Sequence, residues 1–75
     1  MRARKTRMYR LKVRQIAESQ GITRTKLSHL TEMQYETING IWHDTQRDIS
    51  LTTMLKLAKA LGVGVGDLYE VLPDE

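Results

Sequence analysis

The chain has 75 residues, 40% hydrophobic and 28% charged, with a formal net charge of +3 and no cysteine. That length admits one small domain with a single core, burying only about 60% of the surface its unfolded form exposes. Without cysteine there is neither a disulfide framework nor a thiolate zinc site, and no apolar run reaches the ~20 residues of a membrane span.

In chain order, the first feature is a charge asymmetry. Residues 1–14, MRARKTRMYRLKVR, hold seven of the twelve Lys and Arg and no acidic residue; the other five face nine Asp and Glu, so residues 15–75 sum to −4. No apolar signal-peptide segment follows these basic residues, so a cytoplasmic protein is expected. Residues 1–8 read as a basic arm, with Arg2, Arg4, Lys5 and Arg7 placed to contact a polyanion, either nucleic acid or an acidic membrane face. The alternative is a solvated tail that aids solubility.

From about residue 9 to 20, Tyr9, Val13, Ile16, Ala17 and Gln20 share one helix face, and Gly21 supplies a stop. Thr23 is the expected N-cap of a second helix over residues 24–31, with Leu27 and Leu30 inward. A third helix lies within MQYETINGIWHD, residues 33–44, where Met33, Ile38, Ile41 and Trp42 can line a buried stripe. The opposite face carries amides, a hydroxyl and Gly40 but no lysine or arginine, which is not an ordinary solvated face. A polar loop, DTQRDI, leads to Ser50, the expected cap of a fourth helix over 51–61 with Leu51, Met54, Leu55, Ala58 and Leu61 as its apolar stripe. Gly62 suits the left-handed position after it. VGVGDLYEVL reads as a loop and a short fifth helix before Pro73, with residues 73–75 as a tail.

The expectation is an all-α, compact five-helix bundle over residues 9–72, since isolated helices this short are marginal in water. Its core is expected at Val13, Ile16, Ala17, Ile22, Leu27, Met33, Ile38, Ile41, Met54, Leu55, Ala58, Leu61 and Leu68.

Catalysis is not expected. GVGVG follows a helix rather than a strand and lacks phosphate-loop spacing, so a helix cap and loop is the better reading. His43 and Asp44 are adjacent helical residues that point in different directions. No Ser-His-acid grouping, no metal-ligand spacing, no cofactor site and no small-molecule ligand is evident, and the chain leaves little room for a substrate cavity.

The spacing in GITRTKLSHLTEMQYETINGI, residues 21–41, points elsewhere. Leu27 is followed at once by the small Ser28, then by apolar residues six, eleven and fourteen positions on (Met33, Ile38, Ile41). Two short helices crossing steeply need that order: a small residue for close approach, a plug for the corner, and two residues seating the second helix. Such a helix projects its other face and fits a major groove ~12 Å wide. Together with ISLTTMLKLAKALGVGVGDLYEV, this motif makes the chain from about Leu11 to Val71 resemble the lambda-repressor-like (Cro/cI-type, XRE-like) helix-turn-helix family.

The resemblance implies a sequence-specific, double-stranded-DNA-binding transcriptional regulator, often dimeric, with its third helix in the major groove. Carried over by position, base contacts fall on Gln34, Tyr35, Glu36 and Asn39, with Gly40 allowing close backbone approach. Gln and Asn can pair with adenine, and Glu can accept from the cytosine amino group. The alternative for these residues is plain polar surface. Phosphate contacts are expected at Arg24, where free helix N–H groups also favour anions, and at Thr37, His43, Thr45 and Arg47. Trp42 is expected in the core. Tyr69, Val71 and Leu72 are candidates for a self-association surface, with packing inside the monomer as the alternative. Glu32 stands where the family commonly has glycine, Gln34 is a weak N-cap, and Gly40 loosens the third helix. A protein-interaction module, such as an antitoxin or adaptor on the same fold, is the rival function.

Overall fold

Tyr9, Arg10 and Leu11 are half-buried, exposed and buried in turn, the alternation of a strand rather than the period of a helix. In the computed structural model, which describes residues 8–73, they form β1 (Tyr9–Leu11). It pairs antiparallel with β2 (Tyr69–Val71) in the register Tyr9↔Val71, Arg10↔Glu70, Leu11↔Tyr69. Between the strands come α1 (Val13–Ser19), α2 (Arg24–Thr31), α3 (Tyr35–His43), α4 (Leu51–Leu61) and a 3₁₀ turn, Val65–Leu68. The described chain is therefore four α-helices and a two-stranded ribbon, not five helices.

Two expectations are corrected here. The first helix begins at Val13 instead of residue 9, because the backbone before it finds partners elsewhere: Lys12 N–H donates to Leu68 O and Leu11 N–H to Thr45 O, both at 2.7 Å. The expected fifth helix is one 3₁₀ turn, closed by Gly64 N–H donating to the Asp67 carboxylate at 3.0 Å. Gly66 within it disfavours a longer helix, and Tyr69 is already extended.

The other boundaries stand as read. The Thr23 hydroxyl accepts from Lys26 N–H at 3.1 Å and the Ser50 hydroxyl from Thr53 N–H at 3.2 Å, capping α2 and α4 over the expected spans. Gly62 takes the left-handed position after α4 at φ 69°.

Leu11, Val13, Ala17, Leu27, Ile38, Ile41, Trp42, Met54, Leu57, Ala58, Leu61 and Leu68 form one buried cluster, against which Ile16, Ile22 and Met33 pack half-buried. Leu55, expected in the core, is 54% exposed, while Leu57 is fully buried. Leu51 and Leu30 are also exposed rather than inward. The cause is in the spacing of LTTMLKLAKAL itself: α4 contains two overlapping stripes three and four residues apart, and the one packed is Met54, Leu57, Ala58 and Leu61. Periodicity fixes the spacing of a buried face but not its phase.

A truncation pair tests that phase. Leu57→Ala is expected to lower stability by about 2–5 kcal/mol, as for other buried leucines, and Leu55→Ala by no more than about 0.5 kcal/mol, read by equilibrium urea unfolding. The reverse ranking would mean that α4 is rotated.

Candidate nucleic-acid interface

The turn between α2 and α3 sets where the third helix points. Glu32 occupies the left-handed region at φ 58°, ψ 34°, so the turn is made there without a glycine. Ser28 spans the turn twice: its carbonyl accepts from Met33 N–H at 3.2 Å, and its hydroxyl donates to Met33 O at 2.6 Å. The small side chain at position 28 thus binds the corner as well as admitting the second helix.

Beyond the turn, Ile38, Ile41 and Trp42 seat α3 on the core, and Trp42 is buried as expected. At about 100° per residue, Glu36, Gly40 and His43 then fall near the middle of the outward face, with Asn39 and Tyr35 on one flank and Thr37 on the other. Gln34, Tyr35, Glu36 and His43 are exposed; Thr37, Asn39 and Gly40 are half-buried. Gln34 is the N-cap residue but makes no side-chain capping bond, so its amide is not spent on the helix.

Arg24 reaches this face from the first turn of α2. Its Nη1 donates to Asn39 Oδ1 at 2.6 Å and lies 3.1 Å from His43 Nε2. Its Cζ sits 6.0 Å from the centre of the Tyr35 ring and 5.9 Å from that of Trp42, within cation–π range. Arginine has no acceptor, so in a hydrogen bond between the two Arg24 is the donor. The same contact turns the Asn39 oxygen toward Arg24 and leaves its amide N–H groups for an outside acceptor.

The α3–α4 loop supplies the other edge. Thr45 is half-buried, and its carbonyl takes the Leu11 N–H. Arg47 is exposed, and its guanidinium lies against Gly40: a Cβ built there would be 3.1 Å from Arg47 Cζ. Sequence reasoning missed this pairing. The signal was a helix-interior glycine on a face without a cation, followed seven residues later by an arginine.

On the ribbon, Tyr69 and Leu72 are half-buried and Val71 is 72% exposed. Arg2, Arg4, Lys5 and Arg7 lie outside the described residues. Among the described residues no group of three His, Cys, Asp or Glu is placed to hold a metal, and no helix is long and apolar enough to cross a membrane.

Two short packed helices joined by a tight turn, with a polar outward face on the second, define a helix-turn-helix domain. A family model described as a Cro/C1-type HTH DNA-binding domain matches residues 12–74, and the chain belongs to that family. Among solved structures, the restriction-modification controller protein C.AhdI from Aeromonas hydrophila is similar, with 28% identity and a TM-score of 0.65 over 72% of this chain and 80% of that one. The transcriptional regulator VanUg shares the fold at 18% identity, with a TM-score of 0.68 over 99% of this chain and 100% of that one. No curated protein matches the chain.

The cost of the turn is measurable. Relief of the left-handed penalty, about 1–2 kcal/mol, less the entropy that glycine loses on folding, about 0.5–1 kcal/mol, makes Glu32→Gly stabilising by up to about 1.5 kcal/mol. Glu32→Val should destabilise, because a branched side chain tolerates φ 58° worst. Thermal unfolding of the three proteins reads both signs.

Proposed function

We propose that the chain is a sequence-specific, double-stranded-DNA-binding transcriptional regulator that docks α3 in the major groove. The observation that carries this reading is the division of α3 itself: Ile38, Ile41 and Trp42 are buried while Glu36 is exposed on the opposite side, with Asn39 half-buried on its flank and Gln34 exposed at the N-cap. Gln34 can pair with adenine, Glu36 can accept from a cytosine amino group, and the Asn39 amide donors suit a purine N7. Tyr35, stacked beside Arg24, can pack on a thymine methyl. The similarity to a restriction-modification controller protein agrees with a regulatory role.

Phosphate contacts flank the reading face at Arg24, Thr37, His43 and Thr45. Arg24 keeps further donors beyond the one it shares with Asn39 and His43, so it can order the face and grip the backbone together. Residues 1–8 act as the basic arm, 9–72 as the folded unit and 73–75 as a tail. Because residues 15–75 sum to −4, the arm supplies much of the salt-dependent affinity.

Self-association through Tyr69, Val71 and Leu72 has one specific support. The outer edge of β1 is covered, since Leu11 N–H donates to Thr45 O and Gln46 Nε2 to Tyr9 O. In the observed register the backbone groups of Tyr69 and Val71 point to the opposite, outer edge of β2, where no hydrogen bond is made among the described residues. A second copy related by a two-fold axis can add its own β2 there.

Selection of bound duplexes from a random DNA pool tests the function directly. Enrichment of a defined, two-fold-symmetric site is expected; no enrichment would leave the protein-interaction module as the better reading. Gln34→Ala should lose about 1–3 kcal/mol of discrimination at one base position, and Asn39→Ala less, because its oxygen is held by Arg24; both are read by competition binding with single-base variants of that site. Deleting residues 2–7 should flatten the fall of affinity with salt, each lost phosphate contact removing about 0.9 from the log–log slope. An unchanged slope would exclude the arm.

A further inference from the structure

α3 contains no lysine or arginine, yet a guanidinium lies on its outward face. It belongs to Arg47 of the α3–α4 loop. A Cβ built on Gly40 would stand 3.1 Å from Arg47 Cζ and 3.7 Å from Nη2, and nearer still to Nη1. The Arg47 head lies where a side chain at position 40 would begin, and a Cβ there would push it aside. The spot lies one helical turn beyond Glu36 and next to Asn39, in the middle of the face rather than at its rim.

The root of the side chain is fixed while its tip is uncommitted. Arg47 N–H donates to Asp44 O at 3.2 Å, and its carbonyl accepts from the Tyr9 hydroxyl at 2.8 Å. Gln46 N–H donates to Asp44 Oδ1 at 3.1 Å, which holds the preceding bend. The guanidinium itself makes no hydrogen bond or ion pair among the described residues. Five donors in a planar fork are thus presented where position 40 would otherwise present none.

We propose that Arg47 is a specificity-determining residue that reads guanine, its fork pairing with O6 and N7 across the gap left by Gly40. This rests on the docking of α3 in the major groove. Sequence alone puts Arg47 among the phosphate contacts; its position over the centre of the helix assigns it to a base edge. Arginine with guanine is the commonest specific contact because two parallel N–H groups match two acceptors there. Gly40 is then part of the same reading device, kept bare so that the loop can furnish the side chain.

The test compares sites selected from a random duplex pool by the parent, Arg47→Ala, Arg47→Lys and Gly40→Ala. Gly40→Ala puts a methyl group in the space of Nη1 and improves helix propensity, so its effect cannot come from a weakened α3. Arg47→Lys keeps the charge without the fork. All three variants are expected to lose a G·C preference at the same position, binding the parent's site about 5- to 150-fold more weakly. Their affinity for duplexes already altered at that position should stay unchanged.

A phosphate contact would behave differently: Arg47→Ala would weaken all sequences alike and lower the salt slope by about 1, with base preferences intact in every variant. That result overturns the assignment. A parent that enriches a site while Gly40→Ala enriches the same bases also overturns it, leaving DNA reading by α3 in place. A parent that enriches nothing overturns both.

Discussion

Ser28 satisfies both backbone groups of Met33, and the direction of the third helix follows from that junction. The N–H of Met33 reaches the Ser28 carbonyl, and its C=O receives the Ser28 hydroxyl, with the left-handed Glu32 between them. A half-buried backbone pair left without partners would cost free energy comparable to lost hydrogen bonds, so the corner resists both opening and sliding. Burial of Leu27 and Ile38 on either side of it adds the apolar contribution. Everything that α3 displays is displayed from this fixed angle.

Around that helix, the cationic groups arrive from elsewhere. Arg24 comes from the start of α2 and engages Asn39 and His43; Arg47 comes from the following loop and settles on Gly40. The loop in turn is fastened to β1 through Thr45, Arg47 and Gln46. A helix whose own residues are neutral or acidic is thereby given two guanidinium groups by separate supports. The ribbon, although it is far from α3 in sequence, is mechanically tied to the outward face of that helix.

Much of this was legible in the residues. The caps of α2 and α4, both helix spans, the corner formed by Leu27, Ser28 and Met33, and the buried Trp42 all follow from local chemistry and spacing. The failures have a common physical origin, because they depend on partners distant along the chain. Tyr9–Leu11 is too short to show a strand period, and its pairing partner lies about sixty residues later. Leu55 and Leu57 differ in burial only because of the rotation of α4 against α2, which no local pattern specifies. For the candidate site, Glu36 and Asn39 could be placed on one side of the helix from their spacing of three, but a side chain inserted from another segment leaves no periodic trace. Gly40 marked the gap without naming its occupant.

The ribbon joins the first and last regular elements of the described chain, and that has a consequence for how the molecule is made. Contacts between α2 and α3 span few residues and can form as soon as both have left the ribosome. Those between β1 and β2 must wait for residue 71, and they carry the larger loop-closure entropy. During synthesis Leu11, destined for the core, therefore lacks its partner strand until residues 69–71 have emerged. Maturation of the domain ends with the closing of a clasp at its two extremities, and a nascent chain stalled before Tyr69 would carry its helix pair without the strand that completes the support of the loop beside it.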